Sequence, residues 1–134
     1  MPNLSNNFIA GDWVNGSSSI SNINPSDTND VIGEYAQASI AQLDDALNSA
    51  QMAQKKWAAT GLEQRQAVLM KIGEEMMARS AELGELLSRE EGKPVAEGKG
   101  EIYRAGQFFT YYAAEVLRQS GDTADSVRPN IEID

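Results

Sequence analysis

At Ser39 the spacing of apolar residues changes from every second position to every third or fourth, and that change divides the chain in two. Before it, Phe8 to Val14 reads as a strand, a turn around Gly11-Asp12 and a returning strand. Ile20 and Ile23 begin a further extended piece. Asn24-Pro25 ends it, because a residue before proline is pushed out of the helical region. Asp27 to Asp30 is a turn with Asn29 as the expected left-handed position, and Val31 to Tyr35 is another strand. After Ser39, Leu43, Ala46, Leu47, Ala50, Ala53 and Trp57 recur at helical spacing and predict one buried face. Ser39 with Gln42 fits a capping box, and this helix is expected to stop near Ala59.

The stretch from Thr60 to Pro94 carries its own start and stop signals. Thr60 with Glu63 predicts a second capping box. Leu69, Ile72, Met76, Leu83, Leu86 and Leu87 form an apolar stripe, with a break expected at Ser80, which can cap a fresh start. Glu75 with Arg79 and Glu85 with Arg89 stand four apart in the favourable order, as on a solvated face. Gly84 costs about 1 kcal/mol against alanine inside a helix, which points to a close neighbour. Gly92 supplies a left-handed helix end and Pro94 blocks continuation. A further helix runs to about Gln119 with Ile102, Ala105, Phe109, Tyr112, Ala113 and Val116 on one face, and Gly121 as its cap. Val127 to Asp134 alternates apolar and polar and predicts a strand.

Composition then removes several kinds of function. A formal charge of −9 disfavours binding to nucleic acid or to an anionic membrane surface. The chain has no cysteine and no histidine, so it holds no thiolate nucleophile, no disulfide and none of the usual zinc ligands. No apolar run approaches a membrane span, and Met1 to Asn7 has neither a charged nor an apolar region of a secretion signal, which leads to a cytoplasmic expectation.

Gly92-Lys93 and Gly98-Lys99-Gly100 superficially suggest a phosphate loop. The glycines are one residue too far apart, no Ser or Thr follows Lys99 and no strand precedes them. Glu90 and Glu91 oppose the helix dipole at a C-terminus and read as a solvated cluster. Glu97 and Glu101 would repel on one helix face, and a bound cation would relieve that. Phe108, Phe109, Tyr111 and Tyr112 read as core or interface packing, and Trp13 and Trp57 as anchors.

Taken in order, these pieces resemble the N-terminal segment of the aldehyde dehydrogenase superfamily along nearly the whole chain. The resemblance rests on Phe8-Ile9-Ala10-Gly11-Asp12-Trp13-Val14, Ile23-Asn24-Pro25 and Val31-Ile32-Gly33-Glu34-Tyr35. It continues through Leu43-Asp44-Asp45-Ala46, Ala50, Ala53 and Trp57, and through Glu63-Gln64-Arg65 to Leu69. Glu90-Glu91-Gly92-Lys93-Pro94, the helix bearing Glu101, Tyr111-Tyr112-Ala113 and Ser126-Val127-Arg128-Pro129 complete it. The last piece looks most like the α-ketoglutaric semialdehyde (2,5-dioxovalerate) dehydrogenase branch. Asn29 stands where the family usually has glycine, and asparagine tolerates the same backbone region.

The resemblance implies a mostly α fragment with an N-terminal β arm, cut from the α/β aldehyde dehydrogenase fold. Residues 1–37 would be the arm, 38–121 the helical part of the dinucleotide-binding domain, and 122–134 the start of the oligomerisation strand. It further implies an enzyme that oxidises an aldehyde to a carboxylate with NAD or NADP, as a homo-oligomer. The family's catalytic cysteine, glutamate and cofactor loop match nothing in this chain, so no catalytic or cofactor-binding residue is assigned and the segment alone is expected to be inactive. A monovalent cation, sodium or potassium, is implied at main-chain oxygens of Asn22 and Ile23 and the side chain of Glu101. The rival reading is a free-standing helical interaction module without catalysis. The gene beyond codon 134 separates the two readings.

Overall fold

The computed structural model describes residues 4–118, 121, 124–125 and 127–133. Its architecture is mostly α-helical with an N-terminal β arm, as expected. The arm begins with β1 (Leu4–Ser5), β2 (Asn7–Ile9), β3 (Asp12–Val14), β4 (Ser18–Ile23) and β5 (Val31–Gln37). β5 is the middle strand of a three-stranded sheet, parallel to β1 and antiparallel to β4. β2 and β3 form a separate hairpin in which Phe8 faces Trp13, their rings 5.0 Å apart and tilted. Its turn lies at Ala10-Gly11, one residue before the expected place. Both residues have positive φ (56° and 98°), the geometry that matches strand twist in a two-residue turn. Asn29, by contrast, is not left-handed. Its N–H donates to Asp27 Oδ1 at 3.1 Å, so the turn is held by a side chain instead.

Four helices follow: α1 (Ile40–Ala58), α2 (Leu62–Ala78), α3 (Ser80–Glu91) and α4 (Val95–Glu115), with a 3-10 turn at Val116–Arg118. Ser39 and Gln42 make the reciprocal capping box that their spacing predicts. Thr60 and Glu63 do not. Gly61 is the N-cap of α2, and the Thr60 hydroxyl donates back to the Lys56 carbonyl at 3.0 Å. With only three residues between the helices, Thr60 serves an orphan carbonyl of the one that is ending. The break at Ser80 is present, but Ser80 does not cap it. Arg79 takes the junction, and the Leu83 N–H still reaches the Arg79 carbonyl at 2.9 Å. Gly92 ends α3 in the left-handed conformation, φ 71°. α4 is capped at Val116, so Gly121 does not serve as its cap, and Gln119 lies outside the described residues. The expected strand from Val127 shrinks to β7 (Glu132–Ile133), paired with β6 (Ala124–Asp125). Residues 127–130 bend and turn instead, with Asn130 at φ 63°. Asp134 is outside the described residues.

α4 is the shared partner of α2 and α3, and glycines set how close it comes. A Cβ on Gly73 would stand 2.6 Å from the Gly106 carbonyl oxygen, and one on Gly84 would stand 2.5 Å from Lys99 Cα. One on Gly98 would collide with Ser88 Oγ and the Gly84 carbonyl. The buried Ser88 hydroxyl already donates to that carbonyl at 2.8 Å. The inference from Gly84 therefore holds.

The predicted apolar stripes are present, but little of this chain covers them. Ala113 is the one buried hydrophobic side chain among the described residues. α1 buries no residue; Leu43, Leu47 and Trp57 of its stripe are 53%, 60% and 45% exposed. Trp13, Phe8, Phe108, Tyr111 and Tyr112 are also exposed, so neither the tryptophans nor most of the aromatic run pack into a core here. Helix contacts within the chain use α4 as the hub and leave the other faces open.

Two alanine substitutions in α4 separate the packed seam from the open face. Gly98→Ala is expected to destabilise the chain by about 1–3 kcal/mol through overpacking. Gly100 faces open space, so Gly100→Ala is expected to stabilise by up to about 1 kcal/mol through helix propensity. Urea denaturation of both variants checks the opposite signs.

Candidate functional site

The loop joining β4 to β5 is knotted by its own polar groups. The Asn24 N–H donates to the Asp30 carbonyl at 3.0 Å, Asp30 N–H to the Asp27 carbonyl at 2.8 Å, and Ser26 N–H to Asn24 Oδ1 at 2.9 Å. Just before it, the ladder shifts register between Asn22 and Ile23: Asn22 faces Gly33, Ile23 faces Val31, and Ile32 is the extra residue of a bulge. Loop and bulge together aim three side chains at the end of α3. Asn22 Nδ2 donates to Glu90 Oε1 at 2.8 Å, and Ser26 Oγ donates to the Gly92 carbonyl at 2.9 Å. Asp30 receives both arms of the Arg89 guanidinium, at 2.6 and 2.9 Å.

That last pair corrects the sequence reading of Arg89. Among the described residues its ion pair is with Asp30, fifty-nine positions away, and not with Glu85 on its own helix. An exposed pair four apart is worth a few tenths of a kcal/mol, whereas a two-armed guanidinium–carboxylate pair with a fixed, half-buried partner is stronger. Glu75 and Arg79 do pair as expected, at 3.5 Å, with Glu82 as the closer partner of Arg79 at 2.8 Å.

Beyond Gly92 the chain turns through Lys93 and Pro94 into α4. Lys93 Nζ lies 2.7 Å from Glu101 Oε2 and also pairs with Glu91. The hydrogen bonds that Lys93 donates to Glu101 first, and then to Glu91, raise its pKa and keep it charged. Glu90 and Glu91 are therefore engaged rather than simply solvated, one by Asn22 and one by Lys93. Of the three residues expected to hold a cation, Asn22 and Ile23 lie at the bulge, where Asn22 reaches Glu90 at the end of α3. Glu101 lies on α4 with an ammonium on its carboxylate. Among the described residues, no hydrogen bond or ion pair joins Glu101 to Asn22 or Ile23. Nor do three or more acidic, His or Cys side chains gather there as a metal cluster. The corner holds and orients charged oxygens. Sequence reasoning singled out Asn22, Ile23 and Glu101 but missed Asp30, Ser26 and Lys93. A proline locking the residue after Lys93 was the one local signal available for it.

The model of the aldehyde dehydrogenase family matches residues 13–133. The chain belongs to that family. It is 34% identical over 125 residues to the glutarate-semialdehyde dehydrogenase of Pseudomonas putida, covering 92% of this chain and 26% of that protein. It is 33% identical over 122 residues to the α-ketoglutaric semialdehyde dehydrogenase of Bacillus subtilis, covering 90% and 25%. Among solved structures, it overlays an NAD-dependent benzaldehyde dehydrogenase of Corynebacterium glutamicum with a TM-score of 0.83 at 35% identity, over 96% of this chain and 28% of that one. The chain thus spans about a quarter of the length of the curated aldehyde dehydrogenases it matches, and its fold is a fragment of theirs. No helix among the described residues is long and apolar enough to cross a membrane.

The Asp30–Arg89 pair gives this family member a defined acid response. The guanidinium of Arg89, helped by the amide of Asn24, holds the Asp30 carboxyl down at about 2. A depressed folded-state value means stability that is present above the usual carboxylate range and is lost as pH falls through it towards 2. Arg89→Met is therefore expected to be less stable than the unaltered chain at pH 7. The difference should close between about pH 4 and pH 2. Denaturant melts at several pH values measure it.

Proposed function

We propose that this chain is the arm and helical covering of an NAD- or NADP-dependent aldehyde dehydrogenase that oxidises an aldehyde, of the semialdehyde class, to a carboxylate. The observation that carries the reading is a family match running from Trp13 into β7, in the same order as the fold of the relatives. Semialdehyde substrates are supported by the names of two relatives, the glutarate- and α-ketoglutaric-semialdehyde enzymes. With neither cysteine nor histidine, the chain brings no thiolate to attack an aldehyde, and it is inactive by itself. Its own contribution is mechanical. Residues 38–121 clothe part of the dinucleotide-binding domain, residues 1–37 form the arm, and 122–134 begin an oligomerisation strand.

Exposed stripes support that role. Ile40, Leu43, Leu47 and Met52 on α1 lie open together with Phe8 and Trp13 of the hairpin, far more apolar surface than a self-sufficient domain leaves to water. Assay of the full product of the gene, with semialdehydes and either nicotinamide cofactor, tests the reading through the absorbance of reduced nicotinamide. No turnover, with assembly retained, favours the interaction module instead.

A sodium or potassium ion at Asn22, Ile23 and Glu101 belongs to the same reading. Two main-chain oxygens and a carboxylate are the donors a hard cation prefers. Glu101 already accommodates a monovalent cation, the Lys93 ammonium, at 2.7 Å.

Two outcomes are expected for the isolated chain. Light scattering at high concentration should give a dimer or larger assembly, because the open stripes find each other. Calorimetry should detect no NAD binding, and micromolar affinity would overturn the placement of the cofactor site outside this segment.

A further inference from the structure

We infer that the chain is built as two bodies, the β arm with α1 and the unit of α2, α3 and α4, and that the β4–β5 loop is a latch on the end of α3. Opening the latch turns the first body about Ala59–Gly61 without unfolding either.

The first body is fastened to itself at several points. Among the described residues α1 buries no side chain, and it packs on β2 rather than on the glycine seams that unite α2, α3 and α4. Phe8 and Ile9 of the hairpin share one groove with Ala46, Ala50 and Ala53 of α1. The Gln42 side-chain amide donates to the Asn15 carbonyl at 2.6 Å, so a residue of the α1 capping box also holds the chain leaving the hairpin. Two positions on, the Ser17 N–H donates to the Gln37 carbonyl at 2.8 Å, which ties the same stretch to the end of β5. Between them, a Cβ on Gly16 would stand 2.5 Å from that carbonyl oxygen. Hairpin, sheet and α1 are therefore joined to one another independently of the other helices.

The two bodies meet differently. Between residues 4–58 and 62–118, the hydrogen bonds and ion pairs among the described residues all lie at the latch: Asn22 on Glu90, Ser26 on the Gly92 carbonyl and Asp30 on Arg89. Pro25 rests on Gly92, where an added Cβ would stand 2.9 Å from its Cγ. The Asp30 and Arg89 side chains are 27% and 38% exposed, so water can replace each in turn. A seam of backbone against backbone cannot part without leaving a void, whereas a wet polar contact can. The covalent junction is equally open. The Thr60 N–H and hydroxyl both turn back, to the Trp57 and Lys56 carbonyls at 3.0 Å, and a Cβ on Gly61 would meet nothing. A few unpacked residues at a helix end are what a hinge requires. The stripe of Leu43 and Leu47 thus keeps its direction relative to α4 only while the latch is closed.

The chain has no cysteine, so paired spin labels can be placed freely and their separations read by pulsed electron resonance, diluted in unlabelled chain. Asp45→Cys with Glu97→Cys spans the two bodies. Asp12→Cys with Asp45→Cys lies within the first, and Gln64→Cys with Glu97→Cys within the second. In Ser26→Ala with Arg89→Met, the spanning pair should gain a second distance whose population is at least about tenfold that in the unlatched fraction of the unaltered chain, the scale of a lost charged hydrogen bond. Both internal pairs and the helical circular dichroism should stay as they were. Arg89→Lys, which keeps the charge and loses the two-armed fit, should fall between. An unchanged spanning distance without the latch would overturn the inference, since something else would then hold the bodies. A change in the Asp12–Asp45 pair alongside the spanning pair would also overturn it, because the arm would be melting rather than turning. If the double variant loses helical signal, Ser26→Ala with Arg89→Lys is read by the same three pairs, and the same two results refute the latch.

Discussion

The arrangement of this chain depends on how closely α4 approaches its two neighbours. Gly73 against Gly106 seats it on α2, and Gly84 with Gly98 seats it on α3, where the buried Ser88 hydroxyl fills the remaining space. Backbone-to-backbone contact of this kind leaves no room for a single added methyl group at either crossing. It follows that α2 and α3 are held by one rod, and their outward faces are fixed relative to each other through it. Dispersion at short range does this work, because so few large apolar side chains are buried.

A second constraint, polar this time, ties the β arm to that three-helix unit. Asn22, Ser26 and Asp30 reach the last turn of α3 from a loop stiffened by Asn24 and Asp27. On a chain carrying −9, carboxylates crowd, and the few cations become organisers. Arg89 collects Asp30, Lys93 collects Glu91 and Glu101, and Arg79 collects Glu75 and Glu82. Local acidity that looks unfavourable in the sequence is neutralised by contacts across the fold.

Under the proposed reading a segment of this sort need not carry reactive groups to matter. Its contribution is the apolar surface it leaves open, Leu43, Leu47 and Trp57 on α1 beside Phe8 and Trp13 of the hairpin.

Local chemistry made much of this legible. The period change at Ser39, its capping box with Gln42, the left-handed stop at Gly92 and the tight neighbour of Gly84 were all readable from the residues, because each is decided within a few positions. Thr60, Ser80 and Asn29 misled for a related reason: side chains that can serve several backbone groups are assigned by which helix end or turn stands nearest. Glu101 drew attention by its spacing from Glu97, whereas Asn22 and Ile23 stood out only through likeness to a family. The sequence by itself determined where α1 begins and where α3 ends, which faces are apolar and that no thiol or imidazole chemistry resides here. The tertiary structure alone decided that Arg89 serves Asp30, that Lys93 serves Glu101 and that the stripes stay open. Those outcomes depend on distances between residues far apart in the chain, and spacing along a sequence carries no information about such distances.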